Sequence, residues 1–255
     1  MIGICRAGLV SALAFFSMSV CAQGLDGTVD WNRRVSLGFG ISGHVAEAMV
    51  QVGDAIPSGE SMVALETTVL KIALDKATNI ADIAQAQLEE QMDILDRERT
   101  LYDEGALSGV QLQQVEIELS QREYALKDAE LELQHARYRL ELARLRAPFD
   151  AWVVDSGFTL GQFVNHEADD PPMITLAERG RYLAKTFIDS ETLQAYGAGV
   201  AVVVSVGDRR FKGLATRIGL EPLLESGQVP RYSIAVEFAS DTLIRPGTAC
   251  TISLE

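Results

Sequence analysis

The feature that most restricts the fold of this chain is the stretch of residues 67–146, which contains no proline. Its glycines are Gly105 and Gly109, and both lie near the middle of the stretch. Proline ends α-helices and glycine weakens them, so this distribution predicts two long helices joined by a short turn. The turn contains Asp103-Glu104-Gly105, within the segment RERTLYDEGALS at residues 97–108.

Apolar residues recur on one face of each predicted helix in alternating steps of three and four. Nine of ten positions are apolar in the second helix, where Arg122 is the exception, and six of seven in the first, where Gln91 is the exception. This is the a/d pattern of a coiled coil, so we expect an antiparallel α-helical hairpin with arms about 55 Å long. The positions are Leu74, Ala77, Ala81, Ala84, Leu88, Gln91 and Leu95, then Leu112, Val115, Leu119, Arg122, Leu126, Ala129, Leu133, Ala136, Leu140 and Ala143.

The segments on either side of the hairpin are typical of short β-strands. Residues 34–66 and 147–179 contain apolar runs separated by turns such as Gly53-Asp54 and Ser58-Gly59. Because the two halves have similar turn chemistry, we expect one small β-domain that is closed from both of them. The hairpin is then an insertion, and its two ends must emerge side by side. Residues 180–255 contain further β-type runs between turns, which predict a small barrel or sandwich.

The first 22 residues have the pattern of a secretory signal peptide. Leu9–Val20 is an unbroken apolar run, too short to span a bilayer, which takes about 20 residues. Val20 at position −3 and Ala22 at position −1 predict a cleavage site between Ala22 and Gln23. A lipoprotein with an acylated Cys21 is the alternative.

These patterns predict an α+β multidomain protein. The hairpin tip is expected near residues 102–108. The predicted segments are a signal peptide (1–22), an N-terminal segment with the first β-half (23–66), the helical hairpin (67–146), the second β-half (147–179) and a β-barrel domain (180–255).

Charge and residue types argue against several classes of function. Loss of Arg6 with the signal peptide moves the formal net charge from −14 to about −15, which argues against nucleic acid as a partner. Cys250 would remain alone, and the three histidines lack metal-ligand spacing, so neither a disulfide nor a metal site is expected. The GFGISG run at 38–43 is followed by strand-like sequence rather than a helix, so it predicts no nucleotide site. No catalytic set stands out, and we expect no enzyme.

The two β-halves resemble the biotinyl/lipoyl carrier fold, in which a lysine on the turn between the halves carries the cofactor. The sequence here is Glu66-Thr67-Thr68-Val69, with Val69 where a lipoyl domain has lysine. Glu47-Ala48-Met49 resembles the start of a biotin motif, but Val50 follows it. No swinging-arm cofactor is therefore expected.

Two motifs extend the resemblance to the whole chain beyond the signal peptide. Leu145-Arg146-Ala147-Pro148-Phe149-Asp150 matches the sequence at which the periplasmic adaptor proteins return from hairpin to lipoyl half, although Ala151 replaces the usual glycine. Leu243-Ile244-Arg245-Pro246-Gly247 matches their late-barrel turn. The chain thus resembles the periplasmic adaptor (membrane fusion, HlyD) family of Gram-negative tripartite efflux systems.

The resemblance implies a function without catalysis. Such an adaptor lies in the periplasm at the inner membrane and links an inner-membrane transporter to a TolC-like outer-membrane channel. The transporter is expected to be of the resistance–nodulation–division (RND) type, with an ABC exporter as the alternative. Family members form rings, commonly hexamers. Few residues precede the first β-half and the chain ends at Glu255, so the family's membrane-proximal domain is expected to be absent.

The resemblance also assigns a role to the hairpin tip. In the branch that docks a TolC-like channel, the tip carries an Arg, a Leu four residues later and a Ser seven residues beyond it. Arg97, Leu101 and Ser108 have this spacing. Alternatively, Leu101 only closes the helical seam and Ser108 only caps the second helix. A carrier-domain enzyme component and a purely structural coiled-coil protein remain as rival functions.

Overall fold

The computed structural model describes residues 24–169, 171–194, 196–223 and 229–254. The expected signal peptide, its cleavage site at Ala22 and Gln23, and Cys21 lie outside these residues. The chain divides into two compact units, one of residues 31–181 with 241–243, the other of the segments before 31, from 182 to 240 and after 243. Its strands are β1 (Leu25–Trp31), β2 (Arg34–Leu37), β3 (Gly43–Ala48), β4 (Ala55–Ile56), β5 (Ser61–Leu65), β6 (Arg144–Arg146), β7 (Ala151–Ser156), β8 (Phe163–Val164), β9 (Ile174–Glu178), β10 (Arg181–Ile188), β11 (Ala201–Val206), β12 (Arg209–Ile218), β13 (Tyr232–Ala239) and β14 (Ala249–Leu254), and its helices are α1 (Thr68–Asp103), α2 (Gly109–Leu142) and α3 (Ser190–Leu193).

Two long helices pack against each other in the first unit. Helix α1 has 36 residues and α2 has 34, and residues 104–108 join them. All seven seam positions predicted in α1 are buried or half-buried, as are nine of the ten in α2, with Arg122 exposed. Near the middle, Ala81, Ala84 and Ala129 form a buried cluster with Leu126 and Leu133 against it. The small alanine side chains leave room for the leucines, so the two helices pack closely along the seam.

The rest of the first unit is a β-domain of two four-stranded sheets. Their strand orders are β2-β9-β7-β4 and β6-β5-β3-β8. Each sheet takes two strands from before the hairpin and two from after it, as the sequence predicted for a domain closed from both halves. Fully buried side chains of both halves, among them Met62, Val63, Val153, Ile174 and Leu176, fill the core between the sheets.

The hairpin leaves this β-domain through two paired strands. Val63 of β5 lies opposite Leu145 of β6, and the Leu65 amide donates to the Ala143 carbonyl at 2.9 Å. The ends of the hairpin therefore emerge side by side, as an insertion requires. At the start of α1, the Glu66 carboxylate accepts hydrogen bonds from the Thr68 hydroxyl (2.6 Å) and amide (2.9 Å). These bonds lower the pKa of Glu66.

The motif at residues 145–150 joins the two halves of the β-domain. The Arg146 guanidinium donates to the Gly59 carbonyl at 2.9 Å, and Ala147, which is buried, exchanges backbone hydrogen bonds with Gly59 and Glu60. The Asp150 carboxylate accepts from the Ser58 amide at 2.8 Å. Each contact spans the inserted hairpin, so this motif has a structural explanation that is independent of any partner.

The second unit is a closed barrel in the order β1-β10-β13-β12-β11-β14. The sequence predicted barrel strands only from residue 180 onward and treated 23–30 as an N-terminal segment that precedes the first β-half. In the structure β1 pairs with β14 instead, with Leu25 opposite Ile252 and Gly27 opposite Cys250. The physical reason is that five strands would leave two unpaired edges, and β1 supplies the sixth strand that closes them.

Cys250 lies in this barrel as a buried free thiol. Burial raises its pKa to about 11. A free cysteine usually behaves in this way, as a small buried apolar side chain. Across the described ranges, no helix combines the length and the apolar character needed to span a bilayer.

Candidate functional site

The turn that ends α1 has the hydrogen bonds of a Schellman motif. The Ala106 amide donates to the Leu101 carbonyl at 2.8 Å, and the Gly105 amide donates to the Tyr102 carbonyl at 3.0 Å. Gly105 has a φ of +79°, in the left-handed region that favours glycine. A Cβ at this position would meet no atom within 4 Å. Backbone conformation rather than crowding therefore selects glycine here, and the chain reverses within five residues.

Helix α2 begins at a capping box. The Gln111 amide donates to the Ser108 hydroxyl at 3.4 Å, while the Gln111 side-chain oxygen accepts from the Ser108 amide at 3.1 Å and from its hydroxyl at 2.7 Å. The box satisfies backbone donors that the first turn of a helix leaves free. Ser108 is thus the N-cap of α2.

The structure places the three predicted tip residues at one end of the helical pair. Arg97 and Leu101 lie one turn apart on the same face of α1, and Ser108 lies across the loop. Leu101 is 40% exposed, whereas the seam residue Leu95 is 4% exposed. Much of the Leu101 side chain therefore faces solvent. The Ser108 hydroxyl is engaged by Gln111, so capping accounts for this residue without a partner.

The charges at the tip leave one guanidinium available. Arg99 forms an ion pair with Glu116 of α2 at 3.6 Å, which ties the two helices together. Arg97 is exposed, and among the described residues its side chain has no hydrogen bond or ion pair. A free guanidinium one turn from an exposed leucine can recognise a carbonyl or carboxylate next to an apolar surface.

The sequence did not single out two further apolar side chains at the tip. Tyr102 is 45% exposed, and its ring would lie 3.8 Å from a Cβ on Gly109, so it packs across the loop onto that glycine. Val110 is 78% exposed in the first turn of α2. Neither residue belongs to the a/d series. The sequence signal that would have identified them is a large apolar residue next to the turn at a position outside that series.

Within the described residues, no group of three or more His, Cys, Asp or Glu side chains is placed to hold a metal ion. The sequence at Glu66–Val69 offers no lysine for a carrier cofactor. At the position of a carrier lysine's turn, the chain instead begins α1 at Thr68.

Comparison with known proteins identifies the fold. No family model matches the sequence, and no curated protein matches it. Among solved structures, the membrane fusion protein Spr0693 from Streptococcus pneumoniae R6 matches with a TM-score of 0.68 at 16% identity, covering 91% of this chain and 98% of the other. MacA from Actinobacillus actinomycetemcomitans matches with a TM-score of 0.69 at 19% identity, covering 91% and 78%.

A candidate efflux transporter from Bacteroides eggerthii DSM 20697 has a TM-score of 0.63 at 19% identity, covering 91% of this chain and 68% of the other. The match in each case extends over nearly all of the chain. Identities this low establish the fold alone. The resemblance drawn from the sequence is thereby confirmed at the level of architecture, and the chain has the fold of the membrane fusion proteins.

Proposed function

We propose that this protein is a non-catalytic periplasmic adaptor that links an inner-membrane transporter to a TolC-like outer-membrane channel for efflux. In this proposal residues 1–22 direct export, the β-domain is lipoyl-like, and α1 and α2 form a coiled coil that carries the docking tip. An RND transporter is the preferred partner, and an ABC exporter is the alternative. Copies of the chain assemble into a ring, for which six is the expected number.

The observation that carries this proposal is the tip itself. The two helices pack along their seam and are joined by a turn that is capped on both sides. At about 1.5 Å per residue, the 36 residues of α1 extend about 54 Å from the β-domain. At that end the Arg97 guanidinium has no hydrogen bond or ion pair with any described residue, and Leu101 is 40% exposed. A rigid rod that ends in a cation and an apolar side chain is suited to contact a distant partner.

Rigidity of the tip matters for such contact. The Schellman motif and the capping box fix the loop before any partner arrives, so binding would not have to order it. Arg97 would supply forked hydrogen bonds to carbonyl or carboxylate groups of the channel, and Leu101 an apolar knob. Ser108 would cap α2 and, together with its neighbours, face the channel, so that a new charge at this position would disturb the contact.

Capture of the channel by the full-length, tagged chain tests the proposal. Arg97→Asp should weaken channel binding by about 30-fold, because loss of an interface anchor costs about 2 kcal/mol. The matched control is Arg99→Asp, which makes the same charge change two residues away and replaces the exposed ion pair to Glu116 with a weak, solvent-screened repulsion. Equal binding by wild type and Arg97→Asp would refute the docking role of the tip.

Ser108 needs variants that separate its two roles. Ser108→Asp keeps a good N-cap, whereas Ser108→Ala removes it at a cost of about 1 kcal/mol. A docking role predicts that Ser108→Asp keeps the helix content and loses channel binding. If only the alanine variant is impaired, Ser108 is a cap and nothing more.

The rival functions give different results in the same cells. A purely structural protein would co-purify with no channel and no transporter, and its deletion would leave export of toxic compounds unchanged. A carrier-domain enzyme component would show a biotinyl or lipoyl adduct in the mass of the intact chain. The neighbouring genes distinguish the transporter classes, since a pump gene beside this one would be of the RND or the ABC type.

A further inference from the structure

The barrel unit contains a cleft that the proposed function does not use. The cleft has a volume of about 720 Å³, and it is lined by residues of β1, β10, β12 and β13 and of the segments next to β12 and β13. All of these residues belong to one compact unit. Sites that bind small molecules usually have volumes of about 300–1,000 Å³. The cleft is therefore large enough for a drug-sized ligand.

A serine hydroxyl lies on the β12–β13 side of the cleft, where a glycine leaves room for it. The Gly219 amide donates to the Ser233 carbonyl at 2.7 Å, so the two backbones run side by side. A Cβ on Gly219 would lie 2.5 Å from the Ser233 Oγ. Because Gly219 has no positive φ, the close approach of Ser233 rather than the backbone conformation requires glycine. Ser233 is exposed, and its hydroxyl has no hydrogen bond with a described residue.

Two arginines flank this hydroxyl along the strands. Alternate residues of a strand share a face, so Ser233 lies between Arg231, directly before β13, and Ala235. Ala235 is opposite Arg217 of β12. Each arginine is therefore about 7 Å from Ser233 along the strand direction, one on either side. Both arginines are exposed and line the cleft.

The acidic side chains that border the cleft lie mainly on its opposite side. The barrel order β1-β10-β13-β12 places β1 two strands from β13, about 10 Å away. Asp26 lines the cleft from β1. Lys185 of β10, between these strands, forms an ion pair with Asp30 at 2.5 Å. The side formed by β12 and β13 is thus the cationic one.

Arg231 supplies a cation that the described part of the fold leaves unpaired. Its guanidinium has no hydrogen bond or ion pair with a described residue. Asp189 is within electrostatic range of it, but this carboxylate caps α3 by accepting from the Thr192 amide at 2.8 Å. Hydrogen bonds from Thr192 are the main cause of the lowered pKa of Asp189, and the charge of Arg231 contributes least. Arg217 already interacts within the fold, so it adds positive charge rather than a free donor.

Apolar side chains complete the cleft next to these donors. Phe187 of β10 is 52% exposed, and Ile218 of β12 is half-buried. Ile234, which is fully buried, also lines the cleft. An acid group recognises a guanidinium through forked hydrogen bonds, and an aromatic ring beside it offers contact area to an apolar group. The lining therefore suits a ligand that has both parts.

We propose that this cleft binds a soluble organic anion with an apolar body. Arg231 and Ser233 hold the acid group in the positive field of Arg217, and Phe187 and Ile218 contact the apolar body. The inference goes beyond the proposed function and does not rest on it, because binding can be measured on the purified chain without a channel or a transporter.

Fluorescence titration of the purified full-length chain tests the cleft with two probes of similar shape. Anilinonaphthalene sulfonate is the anionic probe, and phenylnaphthylamine is its uncharged counterpart. We expect the sulfonate to bind at one site, and the uncharged amine to bind about tenfold more weakly or worse, because it lacks the charge-assisted hydrogen bonds. Decanoate should displace the sulfonate, whereas decanol should not.

Substitutions assign the binding to the cleft. Arg231→Glu should weaken sulfonate binding by about tenfold or more, and Ser233→Ala by about 2- to 10-fold. Arg210→Glu is the matched control, since it makes the same charge change at an exposed position of β12 that does not line the cleft. It should bind the sulfonate as the wild type does. The thermal unfolding midpoint should stay the same in all three variants, because each replaced side chain is exposed.

Chemical modification gives a readout that does not depend on substitution. Phenylglyoxal reacts with exposed arginines, and peptide mass spectrometry measures the adduct at each position. Saturating decanoate should slow modification of Arg231 several-fold and leave modification of Arg210 unchanged.

Four results would overturn the inference. Equal affinity for the sulfonate and the uncharged amine would show an apolar cleft without preference for anions. Equal weakening by Arg231→Glu and Arg210→Glu would show an effect of net charge alone, and unchanged binding in Arg231→Glu would place the probe elsewhere. Binding to phosphatidylglycerol vesicles that decanoate does not displace would show a lipid surface as the occupant instead of a soluble anion.

Discussion

Gly105→Ala should loosen the hairpin tip although the methyl group would touch nothing. Gly105 has a φ of +79°, and a Cβ there would have no atom within 4 Å. The cost is therefore conformational, about 1–2 kcal/mol for a residue with a side chain in the left-handed region. The bonds that open first are those of the Gly105 and Ala106 amides to the Tyr102 and Leu101 carbonyls.

Gly109→Ala is the matched control, four residues away, and we expect the opposite sign. Gly109 begins α2, and a Cβ there would make ordinary van der Waals contact with the Tyr102 ring at 3.8 Å. Alanine in a helix is favoured over glycine by about 0.5–1 kcal/mol. The two variants should thus differ by about 2 kcal/mol in the stability of the same turn.

Hydrogen exchange of native protein, followed by mass spectrometry of peptides that cover residues 101–108, measures this opening. A cost of 1–2 kcal/mol corresponds to exchange about 5- to 30-fold faster in Gly105→Ala. Peptides of the β-domain should be unchanged. Wild-type exchange rates in Gly105→Ala, or equal acceleration in both variants, would refute the left-handed turn as the element that ends α1.

Three further predictions concern stability and reactivity. Leu95→Ala should destabilise the hairpin by about 2–5 kcal/mol, because Leu95 is 4% exposed in the seam; thermal loss of the helical circular dichroism signal measures this. The Cys250 thiol, with a pKa of about 11, should resist alkylation at pH 8 in the folded protein and react after unfolding in urea; rapid labelling of native protein would contradict its burial. Hydrogen bonds from Thr68 lower the pKa of Glu66. The stability that the Glu66 carboxylate adds to the first turn of α1 should therefore be present at neutral pH and be lost as the pH falls through that lowered pKa. Glu66→Gln should remove this pH dependence in hydrogen exchange of the first turn of α1, and wild-type exchange profiles in the variant would contradict it.

The local parts of the fold could be read from the sequence because short-range physics determines them. An unbroken a/d series predicts which side of each helix is buried, and Leu95 and Ala129 are buried accordingly. Gly105 and Ser108 mark a helix end and a helix start through their own backbone and side-chain chemistry. The insertion of the hairpin followed from the similar turn chemistry of the two β-halves, which predicted one domain closed from both of them.

The parts that the sequence did not reveal depend on contacts between distant residues. Strand β1 pairs with β14, more than 200 residues away, and of its side chains only Val29 is buried, so alternation alone could not assign it to the barrel. Gly27 is required there because a Cβ would lie 2.6 Å from the Lys185 carbonyl oxygen, a constraint that only the folded barrel shows. At the tip, the exposure of Tyr102 and Val110 was missed because the a/d series does not include them.

Site-specific photo-crosslinking from Leu101 in the cell envelope tests the central claim most directly, because it asks what the tip touches. We expect an adduct between position 101 of the full-length chain and an outer-membrane channel, with its yield strongly reduced by Arg97→Asp and maintained by Arg99→Asp. A probe at Leu131, halfway along the hairpin, should not give that adduct. If position 101 links to no outer-membrane protein while the chain is exported and folded, the tip is not a docking site and the proposed link to an outer-membrane channel is wrong.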